Sequence, residues 1–292
     1  MSASRPLSFS WAVTTDKGLR RTSNEDSHCE RADIGLYVVA DGMGGHVAGE
    51  VASREAVDAI QAFINDTASA DKNRTWPFPF EPNISFEANR LKSAFRLANR
   101  RIAAAIADSS DLRGMATTAS ALLAGTSSAC VAHVGDSRVY RLRSGELNQL
   151  THDHSWVEEQ VRAGTMSASA ARQHPWRNVV TRALSGGEDP EVDVTEVEPV
   201  PGDRYLLCSD GLFSVVTDPQ IAEILGDRQL SLQQICTSLV TAANAGGGPD
   251  NITALVLEVN GRAEGGPGVN GRADGGPGVN GRADGGPGLD AP

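Results

Sequence analysis

Residues 36–50 read Leu36-Tyr37-Val38-Val39-Ala40-Asp41-Gly42-Met43-Gly44-Gly45-His46-Val47-Ala48-Gly49-Glu50. The first five are apolar and end at Asp-Gly, which predicts a short buried strand stopping at Asp41. The glycines that follow predict a tight connection. From Val47 to Ile64, Ala52, Ala56, Ala59, Ile60 and Phe63 then share one face of a helix. A strand, a carboxylate at its end and a helix packed back over the strand make the unit from which the rest of the chain can be read.

The carboxylate at a strand end recurs. Asp210 follows the apolar run Tyr205-Leu-Leu-Cys208, Asp250 immediately precedes the strand Asn251-Ile-Thr-Ala-Leu-Val-Leu-Glu258, and Asp136 lies in the turn His133-Val-Gly-Asp-Ser-Arg138. Glu25 and Asp26 add two more in Arg20-Arg-Thr-Ser-Asn-Glu-Asp26. Taken singly, each has a plain explanation, since Asp-Gly is a common turn and Asp a common helix cap. Taken together, carboxylates brought to one place at 4 Å would repel by roughly 4 kcal/mol per pair at an effective dielectric of 20. Either they do not converge, or cations sit among them. Oxygen ligands without a nearby Cys or His cluster favour Mg²⁺ or Mn²⁺ over zinc.

Between these points the pattern alternates. Leu91, Ala94, Phe95, Ala98, Ile102, Ala105 and Ile106 recur at helical spacing. Residues 68–83 contain the proline-broken segment TWPFPFEP, read as a surface loop. From Thr117 four short segments, TTASALLAG, SSACVAHVG, SRVYRLR and ELNQLT, predict an antiparallel meander. A helical stretch from Asp218 to about Asn244 lies between two further strands, at 203–209 and 251–258. Residues 1–258 are thus expected to form one α+β domain. The segment 259–292 repeats VNGRA(E/D)GGPG three times, has almost nothing to bury, and is expected to be a disordered tail.

Composition narrows the function. The 26 Lys and Arg against 37 Asp and Glu give a net charge of −11, which argues against nucleic acid and against a polybasic membrane anchor. The four cysteines are widely spaced, with no CxxC pair, and read as buried reduced thiols. The N-terminus lacks the pattern of a signal peptide, and no apolar run approaches the ~20 residues of a membrane span. A cytoplasmic protein without membrane insertion is expected.

Five motifs stand in a fixed order: Arg21-Thr-Ser-Asn24-Glu25-Asp26, Asp41-Gly-Met-Gly-Gly-His46, Gly135-Asp136-Ser137-Arg138, Ser209-Asp210-Gly211 and Asp250-Asn251. Together they resemble the bacterial branch of the metal-dependent (PPM, type-2C) serine/threonine protein phosphatases, and the resemblance extends from about residue 8 to 258. It implies a four-layer α-β-β-α sandwich of two mainly antiparallel sheets, with the metal site at one edge.

Carried over, Asp41 bridges two Mn²⁺ or Mg²⁺ ions. Asp210 and Asp250 complete the shell of one ion, while Glu25 and the carbonyl of Gly42 serve the other. Asp136 with Asp210 holds a third, weaker ion, and Asp26 and Asn251 are supporting residues. The implied reaction is hydrolysis of phosphoserine and phosphothreonine in proteins by a water or hydroxide bridging the ions, with Arg21 gripping the phosphoryl oxygens.

His46 is the candidate general acid, against a structural role, because Met43 stands where animal members place their histidine. His154 is read as supporting or structural. The segment from Ser155 to about Gln173 corresponds to the family's flap beside the active site. The implied partners are phosphoprotein substrates of a Ser/Thr kinase, or the kinase itself, acted on by a monomer. Two other readings are a silent phosphoprotein-binding module, which loss of a metal carboxylate would mark, and a nucleotide-binding loop. The latter lacks both the P-loop Lys-Ser/Thr and the GxGxxG spacing.

Overall fold

The computed structural model describes residues 7–44, 47–69, 76–125 and 128–262. One sheet has the order β1-β11-β10-β7-β8, built from β1 (Leu7–Asp16), β7 (Arg138–Arg143), β8 (Glu146–Gln149), β10 (Arg204–Cys208) and β11 (Ile252–Arg262). The other has the order β2-β3-β5-β6-β9, from β2 (Asp26–Arg31), β3 (Leu36–Met43), β5 (Ala119–Ala124), β6 (Ala129–Val134) and β9 (Asp193–Val197), with β4 (Ala116–Thr117) paired to the end of β3. Every named pairing is antiparallel. The principal helices are α1 (Val47–Asp66), α2 (Phe86–Asp108), α3 (Trp156–Arg162), α4 (Ala168–Gln173), α5 (Asp210–Phe213), α6 (Asp218–Gly226) and α7 (Leu232–Ala245).

Alternation along the strands creates the layers, because successive side chains point to opposite faces. On β3, Leu36, Val38 and Ala40 pack against α1 and α2, whereas Tyr37 and Val39 face the other sheet. On β11, Ala254 and Val256 meet α6 and α7, while Leu255, Leu257 and Val259 enter the space between the sheets. Both faces are covered, which is why these strands read as continuous apolar runs. The result is the α-β-β-α sandwich that the resemblance implied.

The helix spacing predicted for 91–106 is realised in α2, whose Leu91, Ala94, Phe95, Ala98 and Ile102 are fully buried. Its start is fixed by Ser85, whose Oγ accepts from the Ala88 N–H at 3.1 Å. All four cysteines are free and buried. No helix among the described residues is long and apolar enough to cross a membrane.

Four local expectations are revised. The segments after Thr117 are not one meander: β5 and β6 belong to one sheet, β7 and β8 to the other, and the Gly135-Asp136-Ser137 turn carries the chain between them. The stretch 218–244 is two helices, since α6 ends at Gly226 and Ser231 with Gln234 forms a capping box that starts α7. The segment 68–83 is not wholly a surface loop. Phe78 is buried, and Trp76 packs against Phe63, Phe80 and Phe86. Strand β11 runs to Arg262, past the expected boundary at 258, because Val259 is buried, pairs with Phe9, and exchanges backbone hydrogen bonds with Gly202 and Asp203. The rest of the repeat segment lies outside the described residues.

Candidate metal centre

The ends of β3, β6 and β10 and the starts of β2, β7 and β11 meet at one edge of the sandwich. Asp26 opens β2 directly opposite Asp41 in the β2–β3 register. Asp210 starts α5 after β10, Asp250 precedes β11, and Asp136 occupies the crossing turn. The edge encloses a cavity of about 390 Å³ whose lining includes Arg21, Glu25, Asp41, Gly42, Asp136, Asp210, Asp250 and Asn251. Eight of the ten predicted site residues therefore come together.

Asp26 sits behind the cavity wall, where its Oδ2 accepts from the Ser209 and Thr253 hydroxyls, each at 2.7 Å. It ties β2 to the other sheet, a supporting position. His46 lies outside the described residues.

The surrounding bonds explain how these side chains are held. Asn251 Oδ1 accepts from the Glu25 N–H at 2.8 Å, and its amide donates to the carbonyls of Lys17 and Ser23, each at 2.9 Å. One side chain thus pins the segment bearing Arg21 and Glu25. Gly42 donates its N–H to the Glu25 carbonyl at 3.1 Å, and a Cβ there would run into the Gly49 carbonyl. Thr118 links two acidic segments: its N–H donates to the Asp41 carbonyl at 2.9 Å, and its Oγ1 accepts from the Asp41 N–H at 3.2 Å. The same Oγ1 lies 2.7 Å from the Ser137 hydroxyl. Thr253 and Gly49 are the residues that reading the sequence missed, because hydroxyl bonding across sheets and the clearance of a side chain leave no periodic signal.

The electrostatics are those of carboxylates crowded out of water. Burial, reinforced by Asp26, Asp210, Asp136 and Asp250, raises the Asp41 carboxyl well above the ordinary range. Burial and neighbouring carboxylates raise Asp136 and Asp210 in the same way. Asp26 is raised by burial despite its two hydroxyl donors. Among the described residues, the buried Oδ1 atoms of Asp26 and Asp210 have no hydrogen-bond partner. Such a set, made only of oxygen donors and destabilised by its own charge, fits hard divalent cations. Arg21 stands at the rim, its Nη2 2.7 Å from Asp250 Oδ2 and its side chain half exposed.

A second cavity of about 420 Å³ adjoins the first through Asp136, Asn178 and Asp210, and runs beneath α3 and α4. Those helices occupy the segment expected beside the active site.

A family model described as protein phosphatase 2C matches residues 20–241. Over 253 residues the chain is 40% identical to the serine/threonine protein phosphatase PstP of Mycobacterium tuberculosis, covering 87% of this chain and 45% of that protein. The chain therefore spans less than half the length of that curated relative. It is 37% identical over 252 residues to the serine/threonine phosphatase stp of Listeria welshimeri, covering 84% of this chain and 94% of that one. Among solved structures, the catalytic domain of PstP in complex with two manganese ions superposes with a TM-score of 0.72 at 38% identity, covering 87% of this chain and 99% of that one.

Proposed function

The chain belongs to the protein phosphatase 2C family, and from that premise we propose that it is a Mn²⁺- or Mg²⁺-dependent phosphatase acting on phosphoserine and phosphothreonine in proteins. The observation that carries this reading is the cavity floored by Glu25, Asp41, Asp136, Asp210 and Asp250, with Arg21 at its rim. Asp41, Asp210, Asp250, Glu25 and the Gly42 carbonyl are the groups that would hold two ions, and Asp136 with Asp210 a weaker third. Bound there, divalent cations supply the positive charge that polarises the phosphoryl group and makes the attacking water acidic near neutral pH.

The protein's own groups do the rest. The guanidinium of Arg21 binds phosphoryl oxygens while Asp250 fixes its direction. Asn251 keeps Glu25 in place, and Asp26 holds Ser209 and Thr253 across the two sheets. Hydrolysis forms a bond from the water oxygen to phosphorus and breaks the bond to the Ser or Thr oxygen, which must gain a proton. His46 is assigned that role from its motif. The cavity beneath α3 and α4 takes the chain on either side of the phosphorylated residue. A cytoplasmic monomer acting on the substrates of a Ser/Thr kinase completes the reading, and the four free thiols are in keeping with a reducing compartment.

The test is phosphate release from a phosphothreonine peptide by metal-stripped protein, with Mn²⁺, Mg²⁺, Ca²⁺ or nothing restored. Activity returning with Mn²⁺ or Mg²⁺ is expected. Silence from folded, Mn²⁺-loaded protein would transfer the assignment to a phosphoprotein-binding module. Asp210→Asn should abolish turnover with an unchanged circular dichroism spectrum, and wild-type turnover in that variant would disprove the site.

A further inference from the structure

The turn bearing Asp136 is held from both sides by side chains of other elements. Gly135 has a φ of +107°, in the region that favours glycine. On one flank the Ser137 carbonyl accepts from Ser120 Oγ at 2.6 Å. On the other, His154 makes a reciprocal pair: the Gly135 N–H donates to His154 Nδ1 at 3.1 Å, and the His154 N–H donates to the Gly135 carbonyl at 2.9 Å.

The His154 ring is buried, at 4% exposure. Because Nδ1 accepts a hydrogen bond, the neutral ring carries its proton on Nε2, which lies 3.3 Å from Asp193 Oδ2, near enough for charge attraction but outside hydrogen-bond geometry. Asp193 is in turn 3.4 Å from Arg182 Nη1. On the ring face, His133 stacks at 4.6 Å and 24°, its own Nε2 taken by the His152 carbonyl at 2.8 Å.

His133, His154 and Asp193 bring ligand atoms within 4.8 Å of one another, a spacing that suits a metal ion. Two features count against that use. Stacked rings 4.6 Å apart and tilted by only 24° hold their in-plane lone pairs in two separate, nearly parallel planes, a poor arrangement for converging on one ion. The Nδ1 lone pair of His154 is also already filled by the Gly135 N–H, so freeing Nε2 for a metal would set an Nδ1 proton against a backbone N–H. The arrangement suits a locked tautomer instead.

We propose that His154, with the Asp193 carboxylate beside its Nε2, is a positioning residue that sets the Asp136 turn and thereby the affinity of the weaker cation site formed with Asp210. The inference rests on the metal-centre reading above. Groups that hold a metal-binding segment from behind are worth about 10–100-fold in metal affinity.

The experiment is a calorimetric Mn²⁺ titration of the full chain as wild type, His154→Phe, His154→Asn, Asp193→Ala and Asp136→Asn, with ¹⁵N NMR of the His154 ring. Phe keeps the ring and the stacking but removes the acceptor, so the weak class of Mn²⁺ sites should lose at least tenfold in affinity while the tight class stays within threefold. Asn restores an acceptor near the Nδ1 position and should bring the weak class back to within threefold of wild type. The wild-type ring should show Nδ1 unprotonated and Nε2 protonated, and Asp193→Ala should mix the tautomers and weaken the same class.

A folded His154→Phe protein with a wild-type weak class, or an Nδ1-protonated ring in the wild type, would overturn the proposal. Should His154→Phe not fold, the tautomer and Asp193→Ala decide: an unmixed tautomer or an unchanged weak class in that variant counts against it. If Asp136→Asn leaves the whole titration unchanged, the metal-centre reading itself fails, a result separable from failure of His154 alone.

Discussion

A Cβ on Gly49 would run into the Glu25 carboxylate, so the first turn of α1 has to be bare where it passes the metal centre. Gly49→Ala should therefore push Glu25 out of place and weaken Mn²⁺ binding by about 10–100-fold, read by calorimetry, with the fold retained. His133 offers a second measurement at this scale. Burial, with the nearby His154 ring, pushes it down to about 4 from an ordinary 6.5, although the His152 carbonyl and the Asp193 and Asp153 carboxylates favour its charged form. The unfolded chain thus binds the extra proton between those values, so this contribution to stability is complete above pH 6.5 and is lost as pH falls toward 4. The loss is on the order of 3 kcal/mol. His133→Gln, whose amide can still reach the His152 carbonyl, should reduce the slope of urea stability against pH over that window. An unchanged slope would mean that His133 is not held neutral.

The elements differ in how plainly they can be read, and their places in the sheets explain the difference. β3, β10 and β11 are covered on both faces and show as apolar runs. β2 and β9 are edge strands with mixed polar and apolar residues and are not legible from periodicity, whereas the edge strand β1 does alternate, with Phe9, Trp11 and Val13 turned to the layer between the sheets. The end of β11 is a related case. Val259 opens a repeat unit dominated by glycine and charge, yet it closes the layer between the sheets beside Phe9 and Tyr205. A chain ending at Glu258 should be less stable than one ending at Arg262 by roughly 2–5 kcal/mol, from one buried Val and its ladder bonds. Equal urea midpoints with equal slopes would show that the last four residues of β11 contribute nothing.

For the whole molecule, folding concentrates negative charge at one edge of the sandwich, a cost that bound cations offset. Stripping divalent ions should therefore lower the thermal midpoint, by roughly 5–10 °C when the ion had stood at about a hundred times its Kd. Identical midpoints with excess chelator and with excess Mn²⁺ would show that the carboxylates hold no cation. The sequence by itself determined the apolar central strands, the two large covering helices and the identity of the acidic residues, because each of these is a local matter of periodicity or of motif order, and the sandwich followed only from the family resemblance that the motif order carries. Only the tertiary structure decided that the Asp136 turn joins two sheets, that Asp26 faces Ser209 and Thr253 rather than the cavity, and that His154 grips Gly135. These are pairings between residues distant along the chain, or between elements whose sheet membership no local pattern encodes, and they exist only once strand order and register have been set.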